Sequence, residues 1–303
     1  MSTSVAQSAA RPAPSEHDPS DTARLLVSCA DQSGIVAAIT TFLRDHGGNI
    51  VQSDQYSTDP EGGSFFMRVV FHLGGAAERL ADMRAAFATE VGEPFAMSFQ
   101  IHDAATPKRA AIMVSRYDHC LLDLLWRSRR GELPMDVGVV VSNWEDLREE
   151  VERFGLPYHH IPVTRDTKAA AEAAQLEVLG GGRYDLVIMA RYMQILSDDF
   201  LRAVGCPVIN IHHSFLPAFA GAGPYERAKE RGVKLIGATA HYATADLDEG
   251  PIIEQDVVRV THRETAGELT RAGADVERIV LQRAVRWHCE DRVLVHGNTT
   301  VVL

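Results

Sequence analysis

The chain has 303 residues, which at about 150 per domain predicts two domains. Hydrophobic residues make up 46% and charged residues 23%, which excludes collagen-like, low-complexity and wholly disordered classes. Lys and Arg number 30 against 41 Asp and Glu, a net charge of −11 that repels nucleic acid and anionic lipid; the compact basic stripe is Arg127, Arg129 and Arg130, with Lys108-Arg109 upstream.

Residues 1–22 are rich in Ala, Ser and Pro without an apolar core, and predict a disordered tail rather than a secretory signal. No apolar run approaches the roughly 18 residues of a membrane span. Arg24–Cys29 reads as a short strand. Ile35, Ala38, Ile39, Phe42 and Leu43 recur at helical spacing up to Gly47-Gly48. Ile50–Thr58 alternates as a strand, Phe65–Phe71 is a second, Leu80, Met83, Phe87 and Val91 form a helical stripe, and Phe95–Ile101 is a last strand. This β-α-β-β-α-β order predicts a ferredoxin-like domain over residues 23–103, followed by a polar linker over 104–109.

From residue 110 to 303 apolar runs alternate with helical patterns. Strands are expected at Ala110–Ser115, Val137–Val141, Tyr158–Ile161, Leu186–Met189 and Val208–Ile211. Helices are expected to begin at Cys120 and to cover Trp144–Phe154 and Ala169–Leu179. The pattern predicts a doubly wound, mostly parallel α/β domain whose ligand sits at the strands' carboxyl ends. Residues Val293–Leu303 read as a hairpin turning at Gly297-Asn298. Cys29, Cys120, Cys206 and Cys289 lie far apart and predict free thiols in a cytoplasmic protein, with neither disulfides nor a zinc site.

Three segments carry chemistry. In Val208-Ile-Asn-Ile-His-His-Ser-Phe-Leu-Pro217 a strand ends in Asn210 and His212, which period 2 places on one side. Together they suit an oxyanion on a carbonyl carbon; the competing reading is two residues that only satisfy backbone groups. In His241-Tyr-Ala-Thr-Ala-Asp-Leu-Asp-Glu-Gly-Pro-Ile-Ile253 a strand runs into an acidic loop. An Asp there suits water, a pterin-like ring or His212, against the plainer alternative of a solvated turn. His241 suits either the site wall or the core. In Ala190-Arg-Tyr-Met-Gln-Ile-Leu196, apolar residues on a loop after a strand suit a flat ligand or ordinary core packing. The pairs His159-His160 and His212-His213 lack a carboxylate at ligand spacing, so no metal is expected.

Taken together, Asn210-x-His212, Ser214-x-Leu216-Pro217 and Leu247-Asp-x-Gly-Pro-Ile-Ile253 resemble the folate-dependent formyltransferase domain. Asp118–Arg127, Pro157–Ile161, Ala190–Leu196, Ile209–Phe219, Gly237–Tyr242 and Ala284–His288 narrow the resemblance to the formyltetrahydrofolate deformylase family. The N-terminal block then resembles an ACT domain, with Asp31, Ser33, Gly34 and Ile35 as its first loop and helix start. The resemblance implies hydrolysis of 10-formyltetrahydrofolate to formate and tetrahydrofolate, supplying formate for purine synthesis and balancing one-carbon folate pools, without cofactor or metal. It implies Asn210, His212 and Asp248 as the catalytic trio, with Asp248 either activating water or holding His212 charged. Met193, Gln194, Ile195 and Leu196 would form the pterin pocket, with His241 and Asp246 across from them. It also implies a homo-oligomer, a dimer or tetramer, with an amino-acid effector at the ACT-like domain, and neither nucleic acid nor membrane as partner.

Transformylating relatives cradle an acceptor phosphate in a Gly/Ser-rich loop. The matching stretch here, Ser115-Arg-Tyr-Asp-His-Cys-Leu121, has no glycine and carries Asp118, which argues for water as acceptor. Gly223 stands where this family is expected to carry Asn. The rival readings are a formyltransferase to a small amine and a non-catalytic folate or amino-acid sensor.

Overall fold

The computed structural model describes residues 21–217 and 224–303. The tail expected over residues 1–22 lies, up to residue 20, outside them, as does Gly223.

The N-terminal unit is β1 (Thr22–Ala30), α1 (Ile35–Asp45), β2 (Asn49–Ser57), β3 (Ser64–His72), α2 (Ala76–Phe87) and β4 (Ser98–Asp103), in an antiparallel sheet of order β2-β3-β1-β4. Ile35, Ile39, Phe42 and Leu43 of α1 and Leu80, Met83 and Phe87 of α2 pack on the face formed by Leu25, Val27, Phe65, Met67, Val69 and Phe71. The alternate residues Leu26 and Phe66 point the other way and pack against Leu294 near the C-terminus. The β3 sequence is apolar at consecutive positions because both of its faces are covered. The last strand begins at Ser98 rather than Phe95. Ala96 turns through φ 48°, and Met97 N–H closes a π turn on Gly92 O at 2.8 Å.

The second unit contains β5 (Lys108–Val114), α3 (His119–Arg129), β6 (Met135–Ser142), α4 (Arg148–Arg153), β7 (Tyr158–His160), α5 (Lys168–Gly180), β8 (Leu186–Ala190), α6 (Asp198–Val204), β9 (Val208–His212), α7 (Pro224–Arg231), β10 (Leu235–Tyr242), β11 (Ile252–Arg259), α8 (Ala266–Cys289) and the hairpin β12 (Val293–His296) with β13 (Thr299–Val302). The large sheet has the order β11-β10-β9-β8-β5-β6-β7, parallel from β9 to β7 and antiparallel at β10 and β11. Helices α3 and α8 cover one face through Leu121, Leu124, Val280 and Leu281; α5 and α6 cover the other through Leu179 and Phe200. Strand order reverses between β5 and β8, so the loops after β5, β8, β9 and β10 gather at that switch point.

Strand β5 begins inside the stretch expected as a linker. The helix expected over 144–154 shrinks to α4. Ser142 Oγ takes the Trp144 N–H at 3.1 Å, and the Trp144 ring lies 3.3 Å from the Arg116 guanidinium carbon. Helix α8 starts with a reciprocal capping box, Thr265 Oγ1 accepting from Glu268 N–H and Glu268 accepting from Thr265 N–H. No described helix is long and apolar enough to cross a membrane.

A carboxylate joins the two units. Asp291, with its side chain 6% exposed, lies 3.2 Å from Arg24, 2.9 Å from Lys108 and 3.6 Å from His102. Arg68 donates to the backbone carbonyls of Asp291 and Glu290 at 3.0 and 2.9 Å.

Candidate active site

Strands β9 and β10 pair so that Asn210 faces His241 and His212 faces Thr239. His241 Nδ1 lies 2.9 Å from the Tyr242 carbonyl, which can only accept, so Nδ1 carries the proton. His241 Nε2 then accepts from Asn210 Nδ2 at 3.1 Å. Burial lowers the His241 pKa and keeps the ring neutral. The Asn210 amide is thereby oriented, with its second N–H left for a ligand.

His212 is buried, with Nδ1 3.2 Å from Asp248 Oδ1 and Nε2 without a hydrogen-bond partner. Burial alone would raise the Asp248 carboxyl. The hydrogen bond from His212 outweighs burial and holds it below the ordinary carboxylate range. An ionised carboxylate only accepts, so the His212 proton sits on Nδ1 and a neutral ring offers its lone pair at Nε2. Such a pair can take a proton from water and return it. Asp248 itself has φ 59°, in the left-handed region. The loop closes at Gly250, where a Cβ would lie 1.8 Å from the Tyr242 carbonyl oxygen.

These groups line a cleft of about 320 Å³. Met193, Gln194, Ile195, Leu196, His241 and Asp246, all expected at the substrate, line it as well. Tyr192 is buried beneath them, its hydroxyl accepting from Gln175 at 2.6 Å and its carbonyl from Ser115 Oγ. With Tyr192 anchored inward, the neighbouring apolar side chains turn out: Met193 is 49% exposed, Ile195 53%, and Leu247 across the cleft 54%. Exposed apolar groups on opposite walls suit a flat heterocycle. Leu247 and Thr244 were not anticipated; the only signal was an apolar residue inside an acidic turn.

Arg191 also lines the cleft and was not among the residues expected at the site. Its guanidinium stands 4.6 Å over the Tyr117 ring and 3.5 Å from Glu277. Glu277, on α8, accepts from Tyr225 at 2.6 Å and pairs with His119 Nε2 at 2.8 Å. Burial works against its charge, but His119, Arg191 and Tyr225 together hold its pKa down. Cys120 Sγ lies with His119 and Glu277 within 4.8 Å, and burial pushes that thiol well up. A protonated thiol, an engaged carboxylate and a neighbouring arginine make this an ion-pair cluster rather than a cation site. His213, between the cluster and His212, is pushed down to about 4, first by burial and then by Arg191.

The sequence model of the formyl transferase family matches residues 108–285, and that of the ACT domain matches residues 23–88. The chain is 60% identical to the formyltetrahydrofolate deformylase of Mycobacterium tuberculosis over 93% of its own length and 91% of the relative's. The chain belongs to the formyltetrahydrofolate deformylase family. The Bacillus subtilis formyltetrahydrofolate deformylase is 54% identical over 93% of this chain and 94% of its own. A crystal structure of a formyltetrahydrofolate deformylase from Pseudomonas syringae superposes with a TM-score of 0.89 at 49% identity, covering 93% of this chain and 94% of that one.

In the ACT domain of this deformylase-family chain, Asp31, Gly34 and Ile35 line a separate depression of about 360 Å³ with Gln55, Tyr56 and Ser57. The Asp31 carboxylate accepts from Ser57 Oγ. Ser33 is not among its lining residues.

Proposed function

We propose that the cleft hydrolyses 10-formyltetrahydrofolate to formate and tetrahydrofolate through Asn210, His212 and Asp248. The observation that carries this is the buried, unpartnered Nε2 of His212, oriented by Asp248 from the opposite ring nitrogen. Water attacks the formyl carbon while His212 Nε2 takes its proton. The carbonyl oxygen becomes an oxyanion that accepts from the free Asn210 N–H. The same proton passes from His212 to N10 of the folate as the C–N bond breaks. The formic acid so formed ionises to formate within the cleft, its proton going to water. Asp248, held as a carboxylate, orients His212 and stabilises it while charged, rather than acting as the base itself. The reaction as written requires no cofactor.

The β5–α3 loop, without glycine and carrying Asp118, offers no backbone cradle for an acceptor phosphate, which supports water as the acceptor. Tyr117 of that loop stacks against Arg191 and His119 is tied to Glu277. Met193, Ile195 and Leu247 would hold the pterin, with Gln194, Leu196 and Asp246 beside it. The depression at Asp31 would take an amino-acid effector, and β2, an edge strand with Val51 and Tyr56 exposed, suits assembly into a homo-oligomer. Four free cysteines fit a reducing cytoplasm, where the formate released would feed purine synthesis.

The test is formate release from formyl-folate with no amine added. Wild type turns over, whereas His212→Ala and Asp248→Asn each lose about a hundredfold or more. Retained activity in either variant, or turnover only when an amine is supplied, overturns the assignment.

A further inference from the structure

Arg191 holds more donor capacity than its neighbours use. It is 6% exposed, yet its Nε and Nη1 have no hydrogen-bond partner. The Glu277 oxygen nearest to it is 3.5 Å away, and both Glu277 oxygens are engaged by Tyr225 and His119. Tyr117 covers one flat face of the guanidinium. The residue also stands at φ 63°, where a side chain strains the backbone. Buried donors without acceptors, on a strained residue, mark a place that a ligand completes.

The hydrolysis creates a suitable ligand. Formate is a small planar carboxylate born beside the Asp248 carboxylate, which repels it. Once His212 has passed its proton to N10, that ring no longer supplies charge. Among the described residues, Arg191 is the only arginine or lysine lining the cleft. A guanidinium N–H and a carboxylate oxygen form a strong, charge-assisted hydrogen bond. We propose that Arg191 forms a carboxylate subsite that receives the formate product. This rests on the hydrolase reading above. Glu277 sets the strength of the subsite: its negative charge keeps Arg191 in place and weakens the hold on the anion, so that product leaves.

The test measures formate in two independent ways, as a product inhibitor and by NMR line broadening of labelled formate on the full chain without substrate. In Arg191→Lys and Arg191→Met both formate constants weaken by about tenfold or more, while the KM for formyl-folate changes far less. Glu277→Gln removes the competing charge and tightens formate binding, giving a second readout if the Arg191 variants fold poorly. Unchanged formate constants in folded Arg191 variants overturn the subsite, as does a Glu277→Gln variant that binds formate no more tightly. Added glutamate should not displace labelled formate; if it does so at equal concentration, the subsite belongs to the folate tail's carboxylate instead. Arginine-dependent line broadening without any formate release would leave the subsite standing and refute the hydrolase reading. Formate release without that dependence would do the reverse.

Discussion

Gly250→Ala is the sharpest test of how the loop delivers Asp248. The new Cβ would lie 1.8 Å from the Tyr242 carbonyl oxygen, against a floor of 3.0 Å for such contacts, so the two must part by about 1.2 Å. The obstacle is backbone, which cannot rotate aside as a side chain would. The Tyr242 N–H to Pro251 carbonyl bond, at 3.0 Å, pins the same corner and is lost or stretched. Asp248 lies two residues earlier, and a misplacement of about 1 Å at a reacting group costs about a hundredfold in rate. Steady-state formate release should therefore show kcat reduced by about that factor, with the folate KM moved less because Met193 and Ile195 stand on another loop. Gly267→Ala, whose Cβ meets nothing within 4 Å, serves as the matched control and should keep full activity. Wild-type kcat in Gly250→Ala would refute the link between this turn and the position of Asp248.

Asn210→Ala should lower kcat by about a hundredfold, and His241→Ala by about tenfold, since the first removes the donor and the second only its orientation; equal losses in single-turnover rates would contradict that ranking. His288, bonded to the Tyr242 hydroxyl at 2.8 Å, is pushed down from 6.5 to about 4, first by burial. Between those pH values the unfolded chain binds the proton and the folded chain does not. Stability from this group is therefore intact above about 6.5 and falls as pH drops toward about 4, at about 1.4 kcal/mol per unit of depression. Melting temperatures across that range should fall in wild type and fall less steeply in His288→Gln. Asp291→Asn strands the cations of Arg24 and Lys108 at the seam and should cost about 3 kcal/mol in thermal unfolding while leaving kcat at low temperature near wild type.

Some of this site is legible in the chain and some is not. Asn210 and His212 can be read because strand period alone puts them together at a carboxyl end. The acidic loop can be read because Gly250-Pro251 marks a tight turn, but Asp248 is singled out from Asp246 and Glu249 by the family resemblance, and its partner nitrogen on His212 emerges only with the structure. The ferredoxin-like unit is legible from short-range periodicity. Helix α8 was readable in principle from Thr265 and Glu268, but its buried Glu277 breaks the apolar stripe. Arg191 was out of reach for a different reason. Its left-handed backbone and its pairing with a residue on the distant α8 are products of tertiary packing, and a single arginine in a loop ordinarily signals solvent.

Asp291 also bears on how this protein could be re-engineered. A foreign sensing module grafted in place of residues 22–103 would have to bring a cation to the place of Arg24 and apolar plugs to those of Leu26 and Phe66. Without them the chimera would open a wet gap at the hairpin and leave Lys108 as the main counter-charge to a carboxylate built for several. Modules of this kind are portable only together with their half of that lock.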